Sequence, residues 1–300
     1  MENTDLKIIS FTDPYCTWCW GSEPILRKIQ EIYGVQVSIS FVMGGLVEDM
    51  RNFSDPSAGI GGELWYKKVA EHWVEASGRH KMPVDEQVFF DMKNDVFSTY
   101  PACIAFKAAQ FQGEESGNRY LRRLREAAAA ERLVIQLFDV QVKLAEEVGL
   151  DRESFVASIH SGQAEQAFRE DLAQCRQQGI QGFPSFLVRG FGEEILLRGY
   201  TPYQTFDRWV QELLKNQLTQ HTFHASSSQV FDFISRYGKV APMEVACVYD
   251  MTFEDAQTLL QDMAASGLVS EQQVGNGAFY VAAQDTVQCD PVNGSCAFKS

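Results

Sequence analysis

The chain has 300 residues, enough for about two domains with a sizeable core, and its 45% hydrophobic and 22% charged residues exclude a disordered polymer. No apolar run approaches the ~18 residues of a membrane span. With 26 Lys and Arg against 40 Asp and Glu, the net charge of −14 repels nucleic acid and anionic membrane surfaces, so neither is an expected partner.

Residues 1–5 lack the basic segment of a secretion signal, and residues 6–11 are too few for its apolar segment, which sets a cytoplasmic location as the expectation. In a reducing compartment the seven cysteines read as reactive thiols or metal ligands rather than structural disulfides. Residues 6–11 have strand length. Ile25, Leu26, Ile29, Ile32 and Tyr33 then recur at helical spacing up to Gly34, and residues 35–41 alternate apolar and polar. Strand, helix and strand at this spacing form a βαβ unit with parallel strands.

Residues 64–178 read as mostly helical, with breaks near 78–83, 113–117 and 149–151; the alanine run at 127–130 is read as good helix propensity and nothing more. Strand character returns at 183–188 and 195–197 around a turn at Gly190 and Gly192, and Thr201-Pro202 opens a helix to about residue 218. This order is that of an α/β thioredoxin fold over 1–218 with a helical insertion at about 62–180. Beyond it, helices at 226–237, 240–249 and 252–266 and a hairpin turning at Gly275-Asn276-Gly277 outline a small winged-helix-like module over 222–284. From residue 219 onward stand three basic and nine acidic residues, which turns the module away from DNA and toward a protein partner or self-association. Residues 285–300 form a cysteine-containing tail.

Cys16-Thr17-Trp18-Cys19 lies between the first strand and helix. A cysteine at a helix N-terminus meets unpaired N–H groups and the positive end of the helix dipole, which favour the nucleophilic thiolate. Cys16 is thus the expected nucleophile and Cys19, one turn on, the resolving thiol. Thr17 and Trp18 would meet the substrate, with Trp18 exposed. A lone C-x-x-C is also half of a zinc site, but no second pair follows at finger or ribbon spacing; His72, His80, His160, His221 and His224 show no metal spacing either, so neither metal nor cofactor is expected. Two inert core cysteines are the other alternative. Against both stands Pro184, which opens the strand where a thioredoxin fold carries a cis-proline beside its cysteine pair, leaving the Phe183 backbone free to pair with an extended peptide. A trans edge proline is the plainer reading. Pro24, inside the helix, is expected to kink it. Trp65 and Trp73 are read as core, and so are Cys103, Cys175 and Cys247.

The stretch Asp13-Pro14-Tyr15-Cys16-Thr17-Trp18-Cys19-Trp20-Gly21-Ser22-Glu23-Pro24, with Gly182-Phe183-Pro184-Ser185 downstream, resembles the DsbA-like branch of the thioredoxin superfamily, closest to its FrnE-type and predicted cytoplasmic disulfide-isomerase members. The resemblance covers about residues 5–217. It implies thiol–disulfide oxidoreductase or isomerase activity on protein or peptide disulfides, with Cys16 and Cys19 as redox pair and Pro184 in cis. The whole-length layout and the stretch 245–254 are also similar to the YjbH family of protease adaptors, which implies instead a redox-regulated or non-catalytic protein-binding role. Cys289 and Cys296 in the tail stand as either an accessory redox pair or two unpaired thiols. The direction of exchange is left open.

Overall fold

A computed structural model describes residues 6–56, 58–214, 217–283, 287–289 and 296–298, the last two spans by their backbone. Strand β1 (Leu6–Thr12) leads into α1 (Thr17–Gly21) and α2 (Glu23–Tyr33), and the crossover returns as β2 (Val37–Met43), parallel to β1 with Ile8 opposite Ile39. The single helix expected here is two. Ser22 caps the break, and Pro24 sits in the first turn of α2, where its missing N–H would have had no partner anyway, so it starts a helix rather than kinking one. Gly34 ends α2 at φ +54, a left-handed conformation open to glycine.

Two short strands, β3 (Ser54–Asp55) and β4 (Ile60–Gly61), precede the helical insertion: α3 (Trp65–His80), α4 (Val88–Asp91), α5 (Tyr100–Gln110), α6 (Glu114–Ala129), α7 (Phe138–Glu147), α8 (Arg152–His160) and α9 (Gln163–Gln177). Its core holds Trp65, Trp73, Phe89, Phe97, Leu124 and the alanines at 127–130. All four alanines are buried. The run therefore does more than favour a helix: its small side chains leave room for close packing.

The chain then re-enters the sheet as β5 (Ser185–Gly190), antiparallel to β1, and turns into β6 (Glu193–Arg198), completing the order β2-β1-β5-β6. The Phe183–Pro184 peptide just ahead of β5 is cis. Helix α10 (Tyr203–Leu214) covers the sheet beside α2. Ile25, Leu26 and Ile29 pack there with Leu6, Ile8, Val188, Phe206 and Val210. No helix among the described residues is long and apolar enough to cross a membrane.

The C-terminal segment folds as α11 (Ser227–Tyr237), α12 (Pro242–Val248) and α13 (Phe253–Ala265) followed by the hairpin β7 (Val269–Val274) and β8 (Gly277–Ala282). It is seated on both earlier parts of the chain. At the hairpin tip, Asn276 accepts from Val84 N at 2.8 Å through Oδ1 and returns its own N–H to Val84 O at 2.9 Å. Glu244 on α12, with no exposed surface, meets Arg27 of α2 at 2.7 Å and Arg122 of α6 at 2.9 Å, and also accepts Ala241 N–H. In the tail, strands β9 (Val287–Cys289) and β10 (Cys296–Phe298) pair with Cys289 opposite Cys296. The side chains of that cysteine pair lie outside the described residues.

Candidate active site

The site forms where the loop after β1 turns into α1. Asp13, wholly buried, accepts N–H groups from Tyr15 and Leu46 at 2.8 and 2.7 Å and the Thr99 hydroxyl at 2.7 Å, tying this loop to two others. Cys16 caps α1, and its sulfur accepts Cys19 N–H at 3.4 Å. The Cys16 thiol also lies 3.5 Å from the carbonyl oxygen of Phe183, so the strand-entry loop 167 residues away faces the first cysteine directly. Pro184 beside it is buried and Phe183 half-buried.

Phe183 is held by the absence of a side chain opposite it. A Cβ built on Gly44 would stand 1.8 Å from the Phe183 ring. Gly44→Ala is therefore expected to push Phe183 off its seat, costing about 1–3 kcal/mol in chemical denaturation and weakening the Phe183–Cys16 contact. Adding Phe183→Leu, which vacates part of the ring, is expected to recover stability; a Gly44→Ala protein as stable as the parent would show that the ring is not pinned there.

The reduced pair shares its charge unevenly. The Cys16 thiol is hydrogen-bonded toward Cys19 and buried, and both effects hold it well above the ordinary thiol range. Burial also works against charge on Cys19, but the Cys16 thiol, the Arg125 guanidinium and the Thr12 hydroxyl outweigh it and bring the Cys19 thiol down. Cys16, the expected thiolate, is thus the thiol pushed up and Cys19 the one brought down: α1 has only five residues, too short for a strong dipole, whereas Cys19 gains the Cys16 hydrogen bond and then the Arg125 charge.

Thr17 is buried, and Trp18, expected to be exposed, is half-buried. Its indole N–H donates to His72 Nε2 at 3.2 Å, and its ring meets His80 and Tyr200. Met82 N–H donates to His80 Nδ1 at 3.1 Å, so Nε2 carries the ring hydrogen and gives it to Thr17 Oγ1 at 3.2 Å. Gly21 leaves room for the imidazole: a Cβ there would stand 2.5 Å from it.

Burial drops the His80 pKa from 6.5 to about 4. The folded ring thus stays neutral where the unfolded one takes up a proton. The stability this contributes is whole above pH 6.5 and is lost as pH falls toward 4, by at most about 3 kcal/mol. Urea unfolding of the parent between pH 7 and 4 is expected to be steeper in pH than that of His80→Gln; identical slopes would contradict the assignment.

Of the other predicted residues, Trp65, Trp73, Cys103 and Cys175 are core, whereas Cys247 is half-buried and lines a groove with Lys28, Tyr200 and Met243. Among the described residues no group of three or more His, Cys, Asp or Glu side chains is placed to hold a metal ion. Sequence reasoning missed His72, His80, Glu23 and Arg125. The histidines carried no local signal. Arg125 belongs to a run, Arg122-Arg123-Leu124-Arg125-Glu126, whose charges crowd a helix that also buries Tyr120, Leu121 and Leu124; that crowding was the only hint that some of them point inward.

A four-stranded mixed sheet of this order, with a cysteine pair at the start of its first helix and facing the loop into its third strand, defines a thioredoxin-fold dithiol protein. Residues 9–208 match the family described as thioredoxin, and the chain belongs to that family. Over nearly its whole length the chain is also similar to curated proteins named ClpXP adapter protein SpxH: that of Halalkalibacterium halodurans is 28% identical over 86% of this chain and 82% of its own, and that of Shouchella clausii 29% identical over 92% and 88%. Among solved structures, the cytosolic disulfide reductase DsbM from Pseudomonas aeruginosa superposes with a TM-score of 0.55 at 20% identity, covering 70% of this chain and 98% of that one, a likeness of fold.

Proposed function

We propose that this protein exchanges disulfides with protein partners through Cys16 and Cys19. The observation that carries the reading is the Cys16 sulfur facing the Phe183 carbonyl at 3.5 Å while it accepts the Cys19 N–H. A substrate strand laid along the Phe183 backbone would bring its disulfide to Cys16, the less deeply buried of the two cysteines. As Cys16 attacks, its proton passes to Cys19 and from there to the substrate sulfur that leaves, so Cys19 serves as base in the first step and, deprotonated again, as the attacking thiolate of the second. Thr17 and Trp18 border the approach. The pair itself supplies the electrons, so no cofactor enters.

A second reading, an adaptor that presents a partner to a ClpXP-type protease, is supported by the SpxH relatives, whose similarity runs on through the C-terminal segment. Reduction of insulin disulfides and repair of a scrambled disulfide protein, by the parent and by Cys16→Ser, separate the two. Exchange chemistry predicts turnover in the parent and loss of at least about 10³-fold in the variant. A parent without turnover, whose stimulation of ClpXP degradation is untouched by Cys16→Ser, would reject exchange in favour of the adaptor.

A further inference from the structure

Arg125 is carried on α6 of the helical insertion, yet its side chain reaches the end of β1 and the start of α2, the elements that flank α1, with 1% of its surface exposed. One terminal nitrogen is bound by Glu23 and the other by the hydroxyl of Thr12, the last residue of β1. Its Nε–H has no acceptor among the described residues. Glu23 does not answer this charge alone, because Arg122 lies 3.6 Å from its other oxygen. A buried guanidinium with an unused donor is costly unless some state of the protein supplies more negative charge beside it. Cys19 shares with the guanidinium the hydroxyl of Thr12, which bonds to both, and is the group that can do so.

We propose that Arg125 is the positioning residue for the second exchange step, the fixed counter-charge beside which Cys19 attacks. The assignment rests on the disulfide-exchange reading. In that step the Cys19 thiolate attacks the Cys16 sulfur of the mixed disulfide. The Cys16–Cys19 bond forms, the bond from Cys16 to the substrate sulfur breaks, and its electron pair leaves on that sulfur, which takes a proton from water. The protein pair ends oxidised and the substrate reduced.

The test is an ultraviolet thiolate titration in a Cys16→Ala background, where Cys19 is the remaining thiol of the pair. Arg125→Gln is expected to raise the Cys19 midpoint by at least about one pH unit, a tenfold loss of thiolate at a given pH, and Arg125→Lys to restore most of it. With Cys16 present, single-turnover release of substrate from the mixed disulfide should slow about threefold, since a more basic thiolate regains part of the loss as nucleophilicity. Should Arg125→Gln fail to fold, Arg125→Gln with Glu23→Gln removes both members of the buried pair and leaves no lone charge; the midpoint should still rise. An unchanged midpoint in the folded variant overturns the proposal. The titration needs no substrate, so it reads Arg125 whether or not turnover is found.

Discussion

Glu244→Ala is expected to cost about 3–5 kcal/mol of stability, the loss typical when one member of a buried ion pair is removed. Glu244 has no exposed surface, is ion-paired with Arg27, and accepts from two nitrogens of Arg122 and from Ala241 N–H. The alanine variant would take from Arg27 its ion-pair partner and leave Arg122 to Glu126 and Glu23. These arginines belong to α2 and α6, so the loss falls on the joint between the C-terminal helices and both earlier parts of the chain. Thermal unfolding should drop on the order of 10 °C, and amide exchange in α12 should speed up more than in β1. A shift under about 2 °C would mean that the network is incidental to the fold.

Cys19→Ala is expected to trap the mixed disulfide between Cys16 and its substrate. Cys16 and Cys19 are in direct contact, so resolution is intramolecular. Well-oriented reactions of that kind reach effective concentrations of about 10⁵ M or more, far above any dissolved thiol. Without Cys19, release must await an external thiol. A covalent complex should accumulate on non-reducing gels and turnover should fall by at least about 10³-fold. Cys16→Ala should form no such complex. A Cys19→Ala protein that turns over at the parental rate would remove Cys19 as the resolving thiol, and a complex that forms equally on Cys16→Ala would remove Cys16 as the nucleophile.

The element order was readable because it is written in short-range signals. Apolar alternation in β2, helical spacing from Ile25 to Tyr33 and the glycine-bounded turn between β5 and β6 each act over a few residues. So was the cysteine pair, since C-x-x-C spans one helical turn wherever it occurs. The break at Ser22 was not readable, because Pro24 fits an interior kink and a first-turn start equally well until the neighbouring turn is seen.

What the sequence by itself determined is the thioredoxin-fold order and the place of the cysteine pair at the start of the first helix. Tertiary structure decided the surroundings of the site: which thiol is pushed up and which down, what covers Trp18, and how the C-terminal hairpin is seated. The physical reason is distance along the chain. Glu23 and Arg125 are 102 residues apart, Arg122 and Glu244 122, and Cys16 and Phe183 167. A local pattern records which side chains share a face. The field at a buried sulfur is set by whichever distant charges the folded chain packs around it.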